Sequence, residues 1–165
     1  MPVCTLPDMI STFTGNAVLR TNNGSAPGPF NGRVNLTAEF TNCRTKIAIT
    51  SFQPIVTEPY FIDIPLLGRR QNITTVTRIN DGSSGAFNPP DGHLEMPITL
   101  HFQHSLEGEL GRLLTGPSDL RLTLTGGMSA DGNVVLTGSG RFTNGFLGGS
   151  TGSISITNGR FSPRP

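Results

Sequence analysis

Apolar and polar residues alternate along most of this chain. Within residues 32–41, Val34, Leu36, Ala38 and Phe40 are interleaved with Arg33, Asn35, Thr37 and Glu39. Within 119–125, Leu120, Leu122 and Leu124 oppose Arg121, Thr123 and Thr125, and Ile154 and Ile156 share one side of 152–157. Thr45, Ile47 and Ile49 repeat the pattern, and the stretches 11–21, 59–65, 72–80 and 133–142 extend it. Period two sends successive side chains to opposite faces of a strand, so each run predicts a strand with one buried and one wet face. Eight to ten such strands fit the length.

The breaks between runs carry turn chemistry. Asn-Gly occurs at 23–24, 31–32, 144–145 and 158–159, and Asp-Gly at 81–82, 91–92 and 131–132. These pairs tolerate the positive φ angles of tight hairpins. One segment leaves the period: Leu106, Leu110, Leu113 and Leu114 fall on one face of a helix, with Ser105 placed to cap it and Gly116–Pro117 to stop it. Most prolines belong at strand ends or in loops, because proline lacks a ladder donor. Pro97 lies inside an apolar run and predicts an edge or a bulge there. The expected fold is all-β and antiparallel, a closed barrel or two-sheet sandwich of eight to ten strands with one short helix near 105–115. Residues 1–165 are expected to form a single domain.

The stretch DGHLEMPITLHFQHS, residues 91–105, gathers His93, Glu95, His101 and His104 and invites a metal reading. As a strand it puts Leu94, Met96, Ile98, Leu100 and Phe102 on one face and His93, Glu95, Thr99, His101 and Gln103 on the other. His93 and His101 are then roughly 26 Å apart at about 3.3 Å per residue, too far to share an ion. His104 points to the face opposite His101. No metal or other cofactor is expected. Nor does the chain carry a nucleophile elbow, a phosphate-binding glycine loop or a convenient carboxylate pair.

Composition narrows the classes further. Charged residues make up 14% of 165 residues and the net charge is +1, with no basic stripe for a nucleic-acid backbone. No apolar run is long enough for a transmembrane helix. Cys4 and Cys43 are the two cysteines. A Cys4–Cys43 disulfide is the expected pairing, contributing on the order of 3–4 kcal/mol and pointing to an extracellular, periplasmic or cell-surface location, with a cytoplasmic one as the alternative. Asn-x-Ser/Thr sequons at Asn23, Asn35 and Asn72 are no more frequent than chance makes them.

The closing segment VVLTGSGRFTNGFLGGSTGSISITNGRFSP, residues 134–163, resembles the glycine-rich final hairpins of calycin-type and allene-oxide-cyclase- or dirigent-like barrels. The resemblance covers thirty residues and implies architecture alone.

Two functions follow as expectations. The leading one is a non-enzymatic β-protein that works by binding or self-assembly, as a homo-oligomer or with a surface partner through sheet edges. Phe30, Phe61, Phe87 and Phe146 are candidate partner contacts or folded-back core residues. The competing one is a cofactor-free barrel isomerase or cyclase acting on an apolar small molecule in its cavity, with His101, Glu95 and Tyr60 as acid–base candidates.

Overall fold

The computed structural model describes residues 6–22, 30–64, 68–106, 116–145 and 148–163. Eleven strands run along them: β1 Met9–Thr21, β2 Phe30–Thr41, β3 Lys46–Phe52, β4 Ile55–Val56, β5 Tyr60–Ile64, β6 Gly68–Ile79, β7 Gly85–Asn88, β8 His93–Leu106, β9 Ser118–Met128, β10 Asn133–Thr143 and β11 Thr151–Pro163. All pairings are antiparallel, and eight strands close a barrel in the order β1–β2–β3–β7–β8–β9–β10–β11 and back to β1. β4, β5 and β6 lie outside this ring. β6 pairs with residues 99–106 of β8, in line with β7, which takes residues 93–95. Ser105 and Leu106 close β8 as strand, so Ser105 does not cap a helix; residues 107–115, where the rest of the helix was expected, lie outside the described ones.

Closure settles barrel against sandwich, and it removes free edges from the ring. β8 is paired on both sides, so Pro97 is not on an edge strand. Pro97 faces Thr123 on β9, and on the other side it falls where β6 has ended and β7 begins. The missing N–H therefore costs no ladder bond on that side. The chain from Gln53 to Glu58 closes the seam between β2 and β6. The Gln53 and Glu58 amides donate to the carbonyls of Asn35 and Asn31, and the Thr57 amide donates to the carbonyl of Thr74.

Turn chemistry acts as read at the aspartates. Gly82, Gly92 and Gly132 all have φ between 76° and 88°. The Ser83 and His93 amides donate to the carboxylates of Asp81 and Asp91, 3.0 and 2.9 Å away. Asn144–Gly145 turns with φ of 63° and 66°. The other described Asn-Gly pairs do not turn. Asn31–Gly32 is regular strand, and Asn158–Gly159 forms a bulge in β11, where the pairing with β1 shifts between Thr14 and Asn16. Asn158 there has φ of 52°. A bulge inserts a residue without reversing the chain, and asparagine suits its left-handed position.

The apolar face of each strand points inward. Val34, Leu36, Ala38 and Phe40 of β2, Leu120, Leu122 and Leu124 of β9, and the Leu94–Phe102 set of β8 are all buried. At one end Phe40 meets Phe87 and Phe161 edge-on, with centroids 5.5 and 5.3 Å apart, and Phe161 meets Phe13 at 4.8 Å. Toward the other end Phe102 packs on Phe142 at 5.0 Å. Gly152 leaves room for that ring, since a β-carbon there would collide with it.

Candidate functional site

The inward face of β8 does not stay apolar. Two residues beyond Phe102 it presents His104, which is buried, and neighbouring β6 adds Asn72 and Thr74 at the same end of the barrel. Tyr60 of β5 and Thr57 reach the same place. Thr74 Oγ1 lies 3.0 Å from His104 Nδ1 and forms a short hydrogen bond with the Tyr60 hydroxyl. The Asn72 amide donates to Tyr60 Oη at 2.7 Å and to Thr74 Oγ1 at 3.3 Å, and the Thr74 amide donates to Thr57 Oγ1 at 3.0 Å. Burial pushes His104 down to about 4, so at neutral pH its imidazole carries no charge. Burial raises the Tyr60 hydroxyl, opposed by its bonds to Thr74 and Asn72. Asn72 Oδ1 is buried with no hydrogen-bond partner among the described residues.

These polar groups border a barrel interior that is nearly full. Mid-barrel, between Leu36, Met96, Leu100 and Ile154, an apolar cavity holds about 30 Å3. That is room for roughly one or two waters, with few partners to bind them. Small-molecule sites commonly run to roughly 300–1,000 Å3.

The larger depression is on the outside. A groove of about 750 Å3 crosses β9, β10 and β11, with Thr123, Thr125, Thr137, Ser139, Ser153 and Ser155 among its lining residues. Its shape follows from β10, which has glycine at both inward positions between Leu136 and Phe142. A β-carbon on Gly138 would sit 2.6 Å from the Thr123 carbonyl oxygen and 2.9 Å from Leu122. With no side chain on its inner face there, the β10 backbone lies close against β9 at Gly138 and Gly140. Its ladder with β9 is interrupted between the pairs Thr137–Thr125 and Phe142–Leu120. The six hydroxyls make no hydrogen bond among the described residues.

The three residues read as acid–base candidates are not brought together. His101 is on the outer wall, its Nδ1 2.7 Å from Asp119 Oδ1. Glu95 is also outside and exposed, 3.2 Å from His93 Nε2. Tyr60 alone belongs to the inner cluster, where its imidazole partner through Thr74 is His104. His104 falls on the face opposite His101, as alternation predicts, at the end of an otherwise apolar row from Leu94 to Phe102. Asn72 and Thr74 alternate with Ile73 and Thr75, and that spacing was the available signal. Among the described residues no three His, Cys, Asp or Glu side chains gather as a metal site.

Of the aromatic contacts, Phe87 folds back on Phe40 and Phe61 is exposed beneath the Arg69 guanidinium, 4.6 Å from its ring centroid. The Phe30 side chain and Phe146 lie outside the described residues. Cys4 does too, while Cys43 sits in the β2–β3 turn, in a run of three positive φ angles at Asn42, Cys43 and Arg44. Asn72 is fully buried, which withdraws its sequon from modification in the folded chain. No family model, curated protein or solved structure matches this sequence.

Proposed function

We propose that this protein is a non-enzymatic β-barrel that works through its outer wall, by binding or self-assembly, outside the cytoplasm or at the cell surface. The observation that carries the reading is the contrast between a mid-barrel cavity of about 30 Å3 and an outer groove of about 750 Å3. A barrel that processed an apolar molecule needs an emptier inside. Assembly has an open route. Among the described residues β5 pairs with β6 alone, and the nearby Val56 and Phe61 are 60% and 49% exposed. A second copy could add along that edge.

The competing reading, a cofactor-free isomerase or cyclase, draws on the His104–Thr74–Tyr60 chain, which links a neutral imidazole to a phenol. Titration with oleate and farnesol, followed by the methyl resonances of Met96 and Leu100, separates the two. No uptake, at concentrations where the outer wall binds or copies associate by light scattering, is the expected result. Methyl shifts marking a ligand inside the barrel would overturn it.

A further inference from the structure

The register of the outer wall sets three arginines around the hydroxyl groove. Pairings on either side of the interrupted β9–β10 ladder, Thr137 with Thr125 and Phe142 with Leu120, keep one register, so Arg141 falls opposite Arg121. Arg141 also faces Thr151 on β11, and Arg20 of β1 faces Ser153. Each of the three is exposed, and none forms an ion pair among the described residues. Like charges opposite one another across a pair of strands are unfavourable. Two carboxylates stand near this spot, each in contact with a histidine: Asp119, two residues from Arg121, with His101, and Glu95, opposite Thr125 at the groove's far end, with His93.

We propose that the β9–β11 groove binds an acidic glycan, a saccharide chain bearing sulfate or carboxylate groups. The inference rests on the reading that the outer wall is the working surface, and it names the ligand class. Guanidinium forks pair with sulfate and carboxylate oxygens, often bidentately. The serine and threonine hydroxyls between them both donate and accept, as sugar hydroxyls require. A groove open at the surface lets a chain lie across it, and its 750 Å3 suits a few sugar units. A single-stranded nucleic acid would also satisfy the arginines. Among the described residues its bases would find no aromatic side chain along the groove to stack on, and stacking is the usual anchor for such strands.

The test is a titration of the full chain, followed by amide NMR, with four probes: a sulfated hexasaccharide, a polyuronate hexasaccharide, neutral maltohexaose and a six-nucleotide oligothymidylate. The expected result is that one or both acidic sugars shift the amides of Thr123, Ser139 and Ser153 and that binding weakens as salt rises. Arg121→Gln and Arg141→Gln, checked for a native amide spectrum, should each weaken it by about tenfold, while Arg160→Gln leaves it unchanged. Whether sulfate or carboxylate is preferred follows from the two acidic probes. Maltohexaose binding as well as they do, undiminished in the arginine variants, would overturn the acidic class and leave the outer-wall reading standing. Oligothymidylate binding more tightly would overturn the glycan. No shift at these amides with any probe would overturn the site, and oleate or farnesol uptake would then decide whether the outer-wall reading falls with it.

Discussion

His104 Nδ1 lies 3.0 Å from Thr74 Oγ1, joining β8 to β6, and Thr74 in turn holds Tyr60 of β5. A barrel end that could have been closed with leucines is closed instead with an imidazole, three hydroxyls and an amide. A neutral imidazole suits this place better than a charged one, because burial penalises the charged form.

Stability should therefore fall with acid in a defined window. His104 titrates near 6.5 when unfolded and at about 4 in the fold. The folded value is depressed, so the unfolded chain takes up protons first. Its contribution is complete above 6.5 and is lost as pH falls from there toward 4, with a total of roughly 3 kcal/mol. Urea unfolding at pH 7.5 and pH 4.5 measures it. His104→Gln should flatten the slope in that window, and an unchanged slope would show that the acid response comes from elsewhere. Tyr60, the single tyrosine in a chain without tryptophan, is a built-in fluorescent reporter for the same cluster.

Adjacent glycines on β9 should respond in opposite ways. A β-carbon on Gly126 would fall on the Val135 carbonyl oxygen of β10, while one on Gly127 meets nothing nearer than 3.9 Å. Gly126→Ala should cost about 1–3 kcal/mol as the two strands are forced apart. Gly127→Ala should be neutral or slightly stabilising, by restricting the unfolded chain. Thermal melts of both proteins test the close approach of β9 and β10 on which the groove depends; equal melting temperatures would contradict it.

Phe40 is fully buried between Phe87 and Phe161. Phe40→Ala should lower stability by about 3–5 kcal/mol through lost burial and the cavity left behind. Phe61→Ala, at an exposed ring, should cost far less, although it would weaken any association along β5. Chemical denaturation compares the two, with light scattering for the second.

Arg44 Nε donates to the carbonyl of Pro7 at 3.1 Å, which brings the N-terminal segment beside the turn that carries Cys43. A Cys4–Cys43 bridge would secure both. Thiol titration of the unreduced protein should find no free thiol, with or without denaturant. Cys43→Ser should lower stability by roughly 3 kcal/mol. Two reactive thiols in the native protein would end the bridge and the main argument for an oxidising compartment.

How much was legible beforehand depended on how local the cause was. Alternation at Val34–Phe40 and Leu120–Leu124 determined strands and their buried faces, because side-chain direction in a strand repeats every second residue whatever lies around it. The Asp-Gly turns were legible for the same reason: a carboxylate and a glycine set the backbone within four residues. Asn158–Gly159 carried the same local signal, yet a pairing partner on each side of β11 turned it into a bulge.

What only the tertiary structure decided is everything that needs two distant segments to meet. Barrel closure joins β1 to β11 from opposite ends of the chain, so no stretch of sequence contains it. Arg121, Arg141 and Arg20 become neighbours by register alone, and His104 meets Tyr60 only because β6 runs between their strands. Alternation says which way a side chain points; pairing between remote strands says what it points at, and chemistry at a site depends on the second.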